Sequence, residues 1–274
     1  MAMLPVCTVG QVGPAVCGVT SLGDKVFVLR NKESDQLEVY DIVTYRLQRC
    51  MTLPNAREFA DMTSCEHYYC VYISDPGITC IHRLDVHGAA TRWPVNDMPA
   101  GLSVNKVHNV LVACTVVGKI KEFSSHGDLL REMTLPDNVL HPEHAIKLTT
   151  DQYVVCHGSG CGKALHRVCL LSVDCADIVY SHGWQCGSDT GRYNVPARLA
   201  VDDNEYVFVA DMYNRRVTLL SPTLNHIRQV VSSDKLKWLP CRLHLDVQRR
   251  RLYIAENELN EGEFTAGRVV AFCI

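Results

Sequence analysis

The sequence predicts an all-β fold: a six-bladed β-propeller of four-stranded antiparallel blades, with an N-terminal strand closing the last blade. Three observations predict it. First, short apolar and β-branched runs punctuated by Gly, Pro, Asn and Asp follow one another along all 274 residues, and no amphipathic segment has sustained helical spacing. Second, two markers recur in step. A second-strand motif appears as KVFVLR, CVYISD, VLVACT, YVVCHG, YVFVAD and LYIAEN, with its end marked at Arg30, Asp75, Cys114, His157, Asp211 and Glu256. A first-strand position recurs at Val16, Glu58, Gly101, His144, Arg198 and Arg242, at intervals of 42, 43, 43, 54 and 44 residues. Four short strands in a unit of about 45 residues is the propeller period. Third, the ends complement each other: the last repeat stops after its third strand, RVVAFCI, and the early segment MLPVCTVG has no partner in the first repeat.

The elements follow in order. Residues 4–10 are read as the outer strand of the last blade, which removes two exposed sheet edges. Five blades then span roughly 11–53, 57–96, 99–136, 142–184 and 194–232, and the sixth combines 238–274 with 4–10, all in one domain over 1–274. The fifth repeat spells the plan: strand ARLAV, turn DDNE, strand YVFVAD, loop MYN, strand RRVTLLS and a weaker IRQVV. A sheet this small cannot bury both faces alone, so the blades must stack radially and close.

Composition narrows the function classes. The net charge of −3 supplies no global field toward nucleic acid or anionic membrane. No run approaches the roughly 20 apolar residues of a bilayer span. The opening MAMLPVCTVGQVGP lacks a basic and an apolar region, so no signal peptide is expected. Many of the 14 cysteines, among them Cys70, Cys80 and Cys169, sit in apolar runs and read as small buried hydrophobes, reduced in a cytoplasmic protein.

Residues 193–222, YNVPARLAVDDNEYVFVADMYNRRVTLLSP, resemble an NHL repeat, with its N-x-P-x-x-L-A-V-D opening followed by V-F-V-A-D-x-x-N-x-R-V. MPAGLSVNKVHNVLVAC and WLPCRLHLDVQRRRLYIAE are similar but less complete, and the other three repeats match in spacing and apolar pattern. The resemblance implies a propeller like the C-terminal domain of tripartite-motif proteins, which binds RNA or protein partners while a separate RING carries ubiquitin-ligase activity. No cysteine and histidine run here has RING spacing, so ligase activity does not carry over.

The candidate ligand-binding residues lie where the inner strands begin. His144, Arg198 and Arg242 hold equivalent places and are expected to make half of one channel mouth cationic, with Glu58, Gly101 and Val16 completing the ring. Arg192, Tyr193, Tyr213, Arg215 and Trp184 are placed on loops beside that mouth. Arginines with aromatics can fork onto phosphates and stack on bases. The competing reading pairs the arginines with Asp211, Glu256 and nearby acidic loops.

Other clusters are read as structural. Arg249, Arg250 and Arg251 form a solvated turn on the opposite face. Cys156, His157, Cys161, His166 and Cys169 lack convergent zinc spacing. GSGCGK at 158–163 is one residue short of a phosphate loop and continues with Ala164. Glu58 and His144 are too few to hold a catalytic metal, and no Ser-His-Asp set can be assembled.

The expectation is therefore a non-catalytic, monomeric binding scaffold that presents its loops and channel mouth to a protein partner, with no cofactor, metal or membrane. The alternatives are a single-stranded RNA binder using the basic half-mouth and a metal-dependent propeller hydrolase or lyase.

Overall fold

The structure is a computed structural model that describes residues 5–31, 36–53, 55–158 and 165–274. Six four-stranded antiparallel sheets form a ring, and a single short 3-10 turn, Pro76–Ile78, is the one helical element among the described residues. The inner strands are Val16–Leu22, Asp61–Cys65, Leu102–Val104, Pro142–Lys147, Pro196–Val201 and Leu239–Asp246. They run in the same direction around the axis. The sixth sheet has the order Leu239–Asp246, Arg251–Asn260, Glu263–Cys273, Pro5–Gly13, so the N-terminal strand closes the ring with Val9 opposite Val269.

The second strand of each blade is a continuous apolar run because both of its faces are buried. Side chains alternate with period two, and each face meets a different neighbour. In blade 4, Tyr153 and Val155 pack toward blade 3, whereas Val154 and Cys156 pack toward blade 5. In blade 5, Val207 and Val209 face back toward blade 4, and Phe208 and Ala210 face blade 6. Among the described residues the six largest apolar clusters each join two adjacent blades, so the core is a set of wedges between sheets. The outer strands, such as Leu47–Thr52, are mostly exposed.

Turns close the blades by side-chain capping. Asp202 Oδ1 accepts hydrogen bonds from the amides of Asn204 and Tyr206, both at 2.9 Å, which folds the DDNE segment into a tight turn. At the seam between last and first blades, Asn257 Oδ1 accepts from Val16 N at 2.8 Å, and its Nδ2 donates to Val16 O at 3.0 Å. A Cβ on Gly267 would lie 2.3 Å from that Asn257 oxygen and 2.8 Å from Val16 N, so the clasp needs glycine there.

Candidate functional site

The inner strands bring six residues to one level at the upper mouth. Strand pairing sets Gly18 opposite Leu29, Asp61 opposite Ser74, His144 opposite Cys156, Arg198 opposite Ala210 and Arg242 opposite Ala255. Gly101 holds the same level, its carbonyl accepting from Ala113 N at 2.9 Å. The ring is thus Gly18, Asp61, Gly101, His144, Arg198 and Arg242. The expected members Val16 and Glu58 are displaced by two and three residues. In blades 3 to 6 a proline stands two residues before the ring position (Pro99, Pro142, Pro196, Pro240), but Val16 and Phe59 replace it in blades 1 and 2. Counting from each ring residue to the end of the second strand would have revealed the slip, since Glu58 to Asp75 was the longest offset.

The correction changes the electrostatics. Asp61 is 3% exposed, and Arg198 Nε lies 3.4 Å from its Oδ2 while Arg242 Nε lies 3.6 Å from its Oδ1. Leu102 N also donates to Asp61 Oδ2 at 2.7 Å. Arg198 further donates to the carbonyls of Ala197 at 2.8 Å and Glu143 at 3.1 Å. Arg242 donates to the carbonyls of Cys17 at 2.6 Å, Ala60 at 2.6 Å and Cys241 at 2.8 Å. The two guanidiniums expected to make the mouth cationic are held inside the ring. Their shared acid is Asp61, with Glu143 4.0 Å from Arg198 as well, and neither Asp211 nor Glu256 serves them.

His144 donates from Nε2 to Leu102 O at 2.8 Å, and its Nδ1 is buried without a hydrogen-bond partner. Burial pushes its imidazolium down to about 4. Gly101 leaves it room, because a Cβ there would lie 2.2 Å from Glu143 O and 2.9 Å from the His144 ring. Along the channel from this polar stopper is a cavity of about 170 Å³, lined by Thr63, Ser103, Ile146, Ala200 and His244 among others. His244 hydrogen-bonds Ser21 at 2.8 Å, and burial brings its imidazolium to about 4 as well.

Asp211 and Glu256 do another job. Each lies one residue past the ring level on a second strand, caps the incoming crossing loop and takes an arginine from the third strand. Asp211 accepts from Asn194 N at 2.7 Å and pairs with Arg216 at 2.6 Å, and Glu256 accepts from Trp238 N at 2.9 Å and pairs with Arg268. Asp75 accepts from the amides of Arg57 and Glu58 in the same way, with His82 as its partner.

The remaining predicted residues separate. Tyr193 is 1% exposed and packs in the wedge between blades 4 and 5, its hydroxyl 3.3 Å from Thr218 Oγ1, so it is a core residue and no rim contact. Arg215 is spent on the carbonyls of Leu236, Lys237 and Ser233. Trp184 and Tyr213 are 58% and 44% exposed, and the Arg192 side chain is about half exposed near Asp189. These three lie around the loop 186–193, which is fastened from below. Arg216 donates to the carbonyls of Ser188 at 2.9 Å and Arg192 at 2.6 Å, and Asn214 Nδ2 donates to Gly187 O at 2.8 Å. On the opposite face Arg249 pairs with Asp246 at 3.1 Å. Beyond Gly158, the GSGCGK segment lies outside the described residues, and so does Cys161.

No protein-family model matches the chain, and no curated protein matches it. Solved structures do. Virginiamycin B lyase from Staphylococcus aureus aligns at a TM-score of 0.61 with 10% identity, over 96% of this chain and 88% of that one. A streptogramin B lyase aligns at 0.58 with 12% identity, over 96% of each chain. The hydrazine synthase of Kuenenia stuttgartiensis aligns at 0.65 with 12% identity, over 88% of this chain and 73% of that one. At these identities the likeness shows the fold alone. It nevertheless overturns the expectation that the chain is not an enzyme: lyases are built on this architecture, so a propeller ring is no ground for excluding catalysis. What the chain shares with these proteins is the β-propeller fold, which this chain builds from six blades.

Proposed function

We propose that this chain is a recognition propeller that engages a protein partner through the upper rim of blades 4 and 5, as its NHL-like repeats imply for the fold they resemble. The observation that carries the reading is the fastened loop 186–193. Arg216 and Asn214 tie its backbone down, so the exposed Trp184 and Tyr213 beside it are presented on a held frame. Exposed aromatics on a rigid support are the residues that dominate protein interfaces, because they bring large apolar area at low entropic cost. The RNA alternative loses its main support, since Arg198 and Arg242 are committed to Asp61 and to carbonyls. The test is quantitative cross-linking in cells with Trp184→Ala/Tyr213→Ala beside wild type, after both show the same melting temperature. Loss of a protein partner at this rim supports the reading; an unchanged partner set refutes it.

A second reading places small-molecule chemistry in the channel, and one observation favours it. His144 Nδ1 is buried without a hydrogen-bond partner, and His144 lines the 170 Å³ cavity. Buried polar atoms without partners are uncommon and invite a ligand. One of the similar structures is a virginiamycin B lyase with quinupristin, which supplies a first probe. Consumption of quinupristin by wild type and not by His144→Ala, followed by liquid chromatography, supports this reading, and no consumption removes that substrate class.

A further inference from the structure

We propose that Asp75, Cys80 and His82 of blade 2 bind a zinc ion. The three residues are 0%, 5% and 3% exposed, and their ligand atoms all lie within 4.8 Å of one another. His82 Nε2 is 3.1 Å from Asp75 Oδ2 and 3.5 Å from Cys80 Sγ. Ordinary zinc bond lengths in a tetrahedron place a nitrogen about 3.3 Å from an oxygen ligand and about 3.5 Å from a sulfur ligand. The two spacings about His82 Nε2 are therefore close to those a bound ion requires, and the Asp75 oxygen and Cys80 sulfur lie within 4.8 Å of each other.

Comparison with the other blades separates this cluster from an ordinary ion pair. Strand pairing sets Asp211 opposite Arg216 and Glu256 opposite Arg268. In blade 2 the same register sets Asp75 opposite Cys80. The place of the structural arginine is taken by a thiol, which is no counter-ion in its protonated form. His82 stands two residues further along the same strand, on the same face, and turns its Nε2 to both groups. Carboxylate, imidazole and thiol are the donor types zinc takes.

The surroundings suit an ion. The amides of Arg57 and Glu58 hold Asp75 Oδ2 and Oδ1 at 2.9 and 3.1 Å, the kind of outer support that orients a metal-binding carboxylate. An open pocket of about 290 Å³ beside Ile78, Arg92 and Trp93 reaches Cys80 from the outside and provides the route of entry. On binding, the Cys80 thiol proton leaves to solvent, and the neutral His82 imidazole takes the tautomer that carries its one hydrogen on Nδ1, which frees the Nε2 lone pair for the ion. The carboxylate and thiolate then balance the two charges of the ion, and a water completes the tetrahedron. Bound there, zinc would fix residues 57 and 58, which lead into Asp61 at the channel.

The test is zinc content. The 274-residue chain is stripped with a chelator, given zinc, desalted and assayed by atomic emission, for wild type, Cys80→Ser and Cys80→Arg. The arginine variant restores the pairing of blades 5 and 6, so it is expected to keep its melting temperature while losing the ion. Wild type should retain a single zinc per chain, and both variants should fall by at least about tenfold, the scale on which even supporting residues weaken metal sites. Cobalt substitution should give the visible bands of a tetrahedral thiolate site in wild type and not in Cys80→Ser. Wild type without stoichiometric zinc overturns the proposal. So does zinc that persists in both variants, which would place it on the exposed Cys50, Cys186 or Cys273.

Discussion

Arg198 and Asp61 meet across the channel from opposite sides of the ring, blade 5 to blade 2, with Nε 3.4 Å from Oδ2. Arg242 reaches the same carboxylate over the glycine of blade 1. One buried acid thus serves a buried and a partly buried guanidinium and ties three blades together at the axis. Asp61→Asn keeps an acceptor for Leu102 N but removes the carboxylate both arginines share, leaving Arg198 only the more distant Glu143 at 4.0 Å. Breaking a buried pair in this way costs about 3–5 kcal/mol. Urea unfolding should show that loss, and a change under 1 kcal/mol, roughly the scale of an exposed pair, would show that the stopper is solvated.

Ring closure makes a second prediction. Asn257 alone satisfies both polar groups of Val16, which is 1% exposed. Asn257→Ala leaves an amide and a carbonyl buried without these partners, at about 1–3 kcal/mol for each. The loss should appear in equilibrium unfolding and as faster hydrogen exchange in the N-terminal strand, because the seam opens there first.

The histidines set a pH dependence. Burial holds His144, His157 and His244 down to about 4, against roughly 6.5 for a free imidazole. Between those values the unfolded chain takes up protons that the folded chain refuses. The contribution of neutral burial is complete above about 6.5 and is lost as the pH falls toward 4, by up to about 1.4 kcal/mol per pH unit for each histidine. Asp211, whose carboxyl is raised by burial, acts in the opposite sense as a single group. Unfolding free energies measured from pH 7 to 4.5 should decline, and His244→Gln should flatten the slope by about one proton.

The rim loop gives a fourth prediction. Arg216 neutralises buried Asp211 and holds the carbonyls of Ser188 and Arg192. Arg216→Ala should destabilise the protein by about 3–5 kcal/mol and expose the loop to trypsin after Arg192. Arg216→Lys should not rescue it, because a single ammonium cannot fork to a carboxylate and two carbonyls at once.

Much of the architecture was legible in the residues. The repeated second strand is uniformly apolar because wedges of neighbouring blades bury both of its faces, and that demand writes KVFVLR and YVFVAD as plainly as any motif. The unpartnered MLPVCTVG and the truncated last repeat pointed to each other for the same reason: an open sheet edge must be covered. The site was less legible. His144, Arg198 and Arg242 were found because they keep step with the repeat, but Asp61 was missed where blade 2 lacks the proline that marks the step. Tyr193 looked like a rim aromatic and is core. The sequence determined the ring of strands, since period and burial are local properties of the chain. Only the tertiary structure decided which charges meet across the axis, because residues 61 and 198 become neighbours solely by closure of that ring.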